Sequence, residues 1–262
     1  MNARSKNNVR RLGRGGTSLL FAHGYGCDQN VWRFLTPYFI DRYQLVLFDL
    51  TGAGQSDLTA YDREKYSTLK GHAADVLEIA AEHVQGPCVF VGHSVSAMIG
   101  VLAALAKPEQ FSSLVMICPS PCYIDDGDYI GGFTRRDIEG LLDTLDSNYL
   151  GWSTSMAPAI MGAPQQPELG RELTNSFCAT DPEIAKHFAR VTFLSDNRPE
   201  LKRLTTRSLI LQCSDDIIAP LAVGHYMEQT IPNASLRVID NIGHCPHMSA
   251  PRAVAGAMND FL

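Results

Sequence analysis

The stretch Cys88-Val-Phe-Val-Gly-His-Ser-Val-Ser96 decides the prediction of the fold. Its first half is an apolar run of strand character, and an apolar helix pattern begins directly after Ser94. A strand that turns this abruptly into a helix holds the corner residue in a strained conformation, with its side chain pointing outward and helix amides beside it. Ser94 is therefore a candidate nucleophile, and the alternative is that it only caps the helix. The stretch nearly matches G-x-S-x-G, with Ser96 where that pattern has glycine.

Short apolar runs recur along the chain between helix-like stretches. They are nearly continuous rather than alternating, which is typical of strands buried on both faces of a parallel sheet. The six runs cover residues 18–22, 45–48, 89–91, 114–118, 209–211 and 236–239. The sequence therefore predicts an α/β fold, with a mostly parallel sheet flanked by helices on both sides.

The segment 119–199 breaks this rhythm, because it shows four helical patterns and no convincing strand. We predict that it is a helical lid inserted into a core formed by residues 1–118 and 200–262. The lid is rich in aromatic and Met side chains, most of which we expect to hold its helices together. A minority should line a pocket above Ser94.

Composition and charge narrow the range of partners. The 262-residue chain has a formal charge of −6, which disfavours nucleic acid as a partner. Residues 1–14 carry five basic side chains and no acid, but no long apolar segment follows, so we expect a solvated leader rather than a signal peptide or membrane segment. Seven cysteines, an odd number scattered along the chain, do not suggest a disulfide framework and favour the reduced cytoplasm.

A nucleophilic serine needs a base to take its proton and an acid to orient that base. In sheets of this kind both follow later strands, in the order serine, acid, histidine. His244 follows the last predicted strand and a permissive glycine, so we predict that it is the base, with His247 as the competitor. Asp216 is the preferred acid over its neighbour Asp215. Asp125 and Asp126 are a more distant alternative.

The oxyanion of an acyl-transfer intermediate needs two amide donors. We predict the backbone N–H groups of Val95, directly after the nucleophile, and of Tyr25, which lies between two glycines after an early strand. His23 in the same loop is expected to brace it. No complementary Cys or His pair completes a metal site around His244, and no phosphate-binding glycine motif is present, so we predict neither a metal nor a cofactor.

The chain resembles the α/β-hydrolase superfamily along its whole length. The matching residues are His23-Gly24, Asp49-Leu-Thr-Gly-Ala-Gly-Gln-Ser-Asp57, Gly92-His-Ser94, Asp216 and Gly243-His244. It is similar to a narrower group as well, the bacterial RsbQ-type signalling hydrolases and the plant karrikin and strigolactone receptors. RsbQ-like stretches are Phe-Ala-His-Gly-Tyr-Gly-Cys-Asp-Gln-Asn-Val-Trp32, Pro-Ser-Pro-Cys-Tyr123, Leu-Gln-Cys-Ser-Asp-Asp-Ile-Ile-Ala-Pro220 and Gly-His-Cys-Pro-His-Met-Ser249, whereas Gly-His-Ser-Val-Ser-Ala-Met-Ile-Gly100 resembles the plant receptors.

This resemblance implies a four-helix lid over a largely apolar cavity, the triad Ser94, Asp216 and His244, and oxyanion amides at Tyr25 and Val95. Positions that match the family's pocket are Tyr25, Phe133, Trp152, Met156 and Phe193. We therefore expect a serine hydrolase that cleaves a small hydrophobic ester or lactone. The alternative is a sensor of a small butenolide-type ligand that binds a regulatory protein, such as the phosphatase that partners RsbQ-like proteins.

Overall fold

The computed structural model describes residues 2–262, and Met1 lies outside the described part. The strands are β1 Arg10–Leu12, β2 Ser18–Ala22, β3 Gln44–Phe48, β4 Cys88–His93, β5 Phe111–Ile117, β6 Ser208–Asp215 and β7 Ala234–Ile242. The α-helices are α1 Ala3–Lys6, α2 Leu69–His83, α3 Val95–Ala106, α4 Arg135–Ser147, α5 Tyr149–Met161, α6 Pro167–Ala179, α7 Pro182–Phe193, α8 Arg198–Leu201, α9 Leu221–Thr230, α10 Pro246–Ser249 and α11 Pro251–Phe261.

The strands form one sheet in the order β1-β3-β2-β4-β5-β6-β7. Only β1 runs antiparallel to its neighbour, and all other pairs are parallel. The predicted α/β fold with a mostly parallel sheet is therefore confirmed. The solvated leader is wrong as a structural prediction, since α1 and β1 lie within the leader and β1 forms an edge of the sheet. The arginines of β1 remain exposed.

Burial explains why the strand sequences are continuously apolar. Every residue of β2 and β4 is buried, and alternate side chains of β2 enter different cores. Leu19 and Phe21 pack into the core on one face of the sheet, whereas Leu20 and Ala22 pack into the core on the other. The helix α3 is buried over nearly its whole circumference, which agrees with the apolar pattern after Ser94. A sheet covered on both faces needs apolar side chains at every position of its central strands.

Helices α4 to α7 lie between β5 and β6 in the chain. Their starts carry recognisable signals. Thr134 and Asp137 form a capping box before α4, and Asp181 caps α7 with Pro182 in its first position. All four helices fall inside the segment 119–199, and we retain those boundaries as our proposed division between lid and core. No helix among residues 2–262 combines the length and the apolar character that crossing a bilayer would require.

The parallel order of the sheet positions the polar residues picked from the sequence. The carboxyl ends of parallel strands meet at one edge of a sheet, where ligands bind in α/β folds. Ser94 directly follows β4, Asp216 follows β6, and His244 lies two residues beyond β7. Three segments far apart in the chain thus reach the same edge of the sheet.

Candidate active site

Ser94 occupies a strained corner between β4 and α3. Its backbone has φ 55° and ψ −125°, a region that residues other than glycine rarely adopt. Its amide donates a hydrogen bond of 2.8 Å to the carbonyl of Ile117 in the neighbouring strand, which fixes the corner to the sheet. Its side chain makes no capping bond to α3. The strain therefore presents the hydroxyl to the site, and helix capping is not its role.

The structure brings Ser94, His244 and Asp216 together in one buried hydrogen-bonded chain. The Oγ of Ser94 lies 2.7 Å from Nε2 of His244. Nδ1 of the same imidazole lies 2.7 Å from Oδ2 of Asp216. A neutral imidazole that donates from Nδ1 to the carboxylate keeps the lone pair of Nε2 facing the serine hydroxyl. This is the arrangement in which a histidine can take the proton of a serine.

The backbone around His244 and Asp216 holds both side chains in place. The amide of His244 donates to the carbonyl of Ile160 in α5 over 2.8 Å. The second carboxylate oxygen of Asp216, Oδ1, accepts hydrogen bonds of 2.8 and 3.2 Å from the amides of Ile218 and Ala219. Both oxygens of Asp216 are thus occupied, which leaves its side chain one orientation toward the imidazole.

The competing acids lie elsewhere in other roles. Asp215 is exposed at the end of β6. Oδ1 of Asp125 accepts hydrogen bonds from the amides of Gly131 and Gly132. Asp126 pairs with Arg198 at the surface over 2.9 Å. None of these acids reaches the imidazole of the site.

Two further histidines, the predicted loop brace His23 and the competing base His247, are buried near the site. Nε2 of His23 accepts a hydrogen bond from the amide of Leu50, and its Nδ1 lies 2.9 Å from the carbonyl of Gly24, so this ring braces the loop. His247 packs against Trp32, with ring centroids 4.7 Å apart. Burial, reinforced by the positive charge that His244 can acquire, lowers the pKa of His247 to about 3. It is neutral at pH 7 and does not contact Ser94.

The amides predicted to bind an oxyanion are unoccupied donors. Val95 is the first residue of α3, so its N–H has no acceptor within the helix. The N–H of Tyr25 donates no hydrogen bond to any residue in the range 2–262. Both N–H groups are therefore free donors, which the prediction of an oxyanion hole requires.

A small apolar cavity of about 30 Å³ lies above Ser94 and His244, roughly the space of one water molecule. Tyr25, Trp152 and Phe193 line it, as the pocket prediction expected. Phe133 and Met156 do not. Both line a separate surface groove between α4 and α5, and Trp152 is the residue that borders both spaces.

Several lining residues of the cavity, among them Tyr123 and Ile218, are not among those predicted from the sequence. Tyr123 follows β5 in a loop, which was the available signal, since residues after strand ends collect at the site. Burial raises the pKa of Tyr123 to about 12, so its phenol is neutral. Apart from Ser94 and the imidazoles, the cavity is lined by apolar side chains, two cysteines and the hydroxyl-bearing side chains of Tyr25, Tyr123 and Thr192.

The site does not suit a metal ion well. Cys118, Asp216 and His244 place one potential ligand atom each within 4.8 Å of one another. The imidazole and the carboxylate already bind each other, and burial raises the pKa of the Cys118 thiol well above its usual range. A thiol held neutral is a poor metal ligand. The residues fit proton transfer better than coordination.

A parallel sheet of this order, with a serine at the corner between strand and helix and a helical segment before β6, is the architecture of an α/β-hydrolase. The comparison with known families agrees. The chain belongs to the alpha/beta hydrolase family, whose model matches residues 19–257.

Relatives and solved structures match over nearly the whole chain. Karrikin insensitive 2 receptor CA of Petunia hybrida is 39% identical over 95% of this chain and 92% of that protein. Strigolactone esterase RMS3 of Pisum sativum is 37% identical over 95% of this chain and 93% of its own length. A solved hydrolase from Oleispira antarctica is 42% identical, with a TM-score of 0.96 over 99% of this chain and 95% of that one. The relatives thus include proteins named as receptors and as esterases.

Proposed function

We propose that this protein is a serine hydrolase that cleaves a small hydrophobic ester or lactone through an acyl-enzyme intermediate. The observation that carries the proposal is the hydrogen-bonded chain from Ser94 through His244 to Asp216, with both distances at 2.7 Å. Family membership and the esterase name of RMS3 support it. In this proposal Ser94 is the nucleophile, His244 is the general base and acid, and Asp216 orients the imidazole.

The acylation step follows from the positions of the protons. Ser94 Oγ bonds to the carbonyl carbon of the substrate as its proton passes to Nε2 of His244. Asp216 stabilises the imidazolium that forms. The tetrahedral intermediate then collapses, and the C–O bond to the leaving group breaks as the imidazolium donates its proton to the departing oxygen. With a lactone, the released alcohol stays attached to the acyl group.

The amides of Tyr25 and Val95 stabilise the negative charge that develops on the carbonyl oxygen. Their N–H groups are fixed before the reaction, so little reorganisation is needed when the charge appears. Water then attacks the acyl-enzyme, with His244 taking the proton from the water and returning it to Ser94 Oγ. The acid is released and the original protonation state is restored.

The lining of the cavity supports a small apolar substrate. Sites for drug-sized ligands usually measure roughly 300–1,000 Å³, far more than the cavity of about 30 Å³ in this closed structure. Trp152, Phe177 and Phe193 fill the space above the serine. Any ligand beyond a few atoms must therefore displace lid side chains, which favours compact acyl groups.

The decisive experiment compares hydrolysis of nitrophenyl acetate by the parent protein and by Ser94→Ala. We expect the substitution to abolish the burst and turnover. Ser67→Ala is the matched control, because Ser67 is an exposed serine whose hydroxyl bonds only to the nearby carbonyl of Glu64. A fluorophosphonate probe should add its mass to a peptide containing Ser94. Equal turnover by Ser94→Ala and the parent protein would falsify the proposal.

A second function is favoured by the receptor names among the relatives, with 39% identity for the Petunia protein. In this alternative the protein binds a small butenolide-type ligand, turns it over slowly, and engages a regulatory protein such as a phosphatase through its lid. Thermal shift and turnover with a synthetic butenolide distinguish the two. Stabilisation with negligible turnover favours the sensor, and rapid hydrolysis of simple esters favours the enzyme.

The seven free cysteines support a reducing compartment, and we place the protein in the cytoplasm in either case.

A further inference from the structure

The loop of residues 23–27, which carries the Tyr25 amide, is held between the nucleophile corner at Ser94 and the lid. On one side, a Cβ added to Gly24 would lie only 2.6 Å from Nδ1 of His93. On the other side, a Cβ added to Gly26 would clash with the ring of Phe177 in α6. Gly26 also has φ +67°. The two glycines thus let one short loop contact the corner and the lid at once.

Three hydrogen bonds reinforce these contacts. On the side of the nucleophile corner, the buried hydroxyl of Ser96 donates to the carbonyl of His23. On the lid side, Ser176 of α6 donates to the carbonyl of Gly26 over 2.7 Å. The hydroxyl of Tyr25 donates to the carbonyl of Ala185 in α7 over 3.1 Å. The amide of Tyr25 thus lies between the hydrogen bond to the nucleophile corner and the two hydrogen bonds to the lid.

Packing around the backbone of this loop is close but leaves one gap. A small void of about 10 Å³ lies behind residues 23–26, lined on its other side by Ile184, Ala185 and Phe188 of α7. A space of this size leaves room for a shift of the backbone but barely accommodates a water molecule. The hydrogen bonds from Ser96 and Ser176 therefore act together with packing to position the Tyr25 amide between the nucleophile corner and the lid.

We propose that Ser176 is a positioning residue, which couples the lid to the oxyanion hole through the carbonyl of Gly26. Loss of this one hydrogen bond then moves the Tyr25 amide and weakens its bond to the oxyanion, while substrate contacts change little because Ser176 itself does not line the cavity. This inference rests on the proposed hydrolase function. It assigns to a lid residue outside the cavity an effect on the rate of acyl transfer.

The test compares Ser176→Ala with Ser176→Thr and with Thr174→Ala. Thr174 lies two residues before Ser176 in α6 and is similarly half-buried. Its hydroxyl, however, bonds only to the carbonyl of Gly170 within the same helix. Measurements are kcat and KM with nitrophenyl acetate, and the inhibition constant of a trifluoromethyl ketone, which forms a tetrahedral adduct with the serine. Loss of one oxyanion donor typically lowers kcat about 100- to 1,000-fold. A displaced donor should lower it by about 10-fold.

We expect Ser176→Ala to lower kcat with little change in KM. Binding of the ketone inhibitor should weaken by the same factor. Ser176→Thr should restore most of both, and Thr174→Ala should match the parent protein. A purely structural role would lower the melting temperature without this parallel loss. If Ser176→Ala fails to fold, Tyr25→Phe removes the other hydrogen bond to the lid, the one to Ala185. This variant should show the same parallel loss of kcat and of ketone affinity.

The inference is overturned if the variants that fold keep parental kcat and ketone affinity while Ser94→Ala is inactive. If Ser94→Ala retains turnover, the proposed function itself is wrong, and the two failures are thus distinguishable.

Discussion

Replacing Asp216 with asparagine tests the proposed proton path at its most constrained point. Oδ1 of Asp216 accepts two backbone N–H groups, from Ile218 and Ala219, at 2.8 and 3.2 Å. In Asp216→Asn the amide oxygen must occupy this position, since an NH₂ group there would face two donors. The NH₂ group is then directed at Nδ1 of His244. That nitrogen must become an acceptor, and the ring proton moves to Nε2, where it faces Ser94.

An imidazole protonated on Nε2 cannot take the serine proton, so the variant retains its geometry and loses its base. The same change of tautomer in a serine protease triad lowers kcat about 10,000-fold. A factor of this size corresponds to about 5.4 kcal/mol of transition-state stabilisation. We expect a loss of similar order, with a KM near that of the parent protein. Folding should persist, because the asparagine keeps the bonds to both amides.

The assay is hydrolysis of nitrophenyl acetate, with Ser94→Ala as the background and Asp215→Asn as the matched control. Asp215 is the exposed neighbouring acid, so its substitution should leave kcat within about 2-fold. Long-range ¹H–¹⁵N correlation spectra of His244 would report the tautomer directly. Activity of Asp216→Asn above one tenth of the parent value, or an Nδ1-protonated imidazole in the variant, would refute this reasoning.

Three further variants test stability and specificity. The pKa of His247 is lowered to about 3, so as pH falls below about 6.5 the unfolded chain binds this proton before the native one, and stability should drop by about 2 kcal/mol between pH 7 and pH 5. Urea unfolding of His247→Phe should show a flatter profile over that range. Trp152→Ala opens the cavity and should raise the kcat/KM ratio of hexanoate to acetate nitrophenyl esters by about 10-fold, and an unchanged ratio would contradict the assigned lining. Gly24→Ala forces a methyl group onto His93 and should cost about 1–3 kcal/mol of stability in thermal unfolding, whereas a parental melting temperature would show that the ring can move aside.

The parts of the fold that follow from hydrophobic periodicity could be read from the sequence. Buried central strands must be apolar on both faces, so β2 and β4 are recognisable in the sequence as continuous apolar runs. The order of serine, acid and histidine could be predicted because strand ends in a parallel sheet share an edge. The strand β1 could not be predicted in this way, since Arg-Arg-Leu is not a continuous apolar run. Its pairing with β3 is a matter of backbone hydrogen bonds at a sheet edge, where its arginines remain in solvent.

Side-chain placement around the cavity was less predictable, because spacing along a helix does not define which side of the helix faces the site. Trp152 and Met156 are one turn apart on α5, yet only Trp152 reaches the cavity. Ser96 is a different case. Its position inside α3 explains why a small residue suffices in place of glycine, but its hydrogen bond to the carbonyl of His23 depends on a loop 73 residues earlier. Contacts between distant segments of this kind have no local signature.

The closed cavity and the clamped loop together bear on whether hydrolysis and sensing are alternatives. A ligand can enter only if lid aromatics such as Trp152 and Phe177 move, and Phe177 packs directly on Gly26 of the oxyanion loop. If the coupling through Ser176 holds, an open lid is a poor catalyst, and acylation requires that the lid close over the substrate. Substrate entry then requires an open lid and acylation a closed one, so the lid surface changes during each turnover. A partner that binds one lid state would respond to the chemistry at Ser94, and slow turnover would prolong that state.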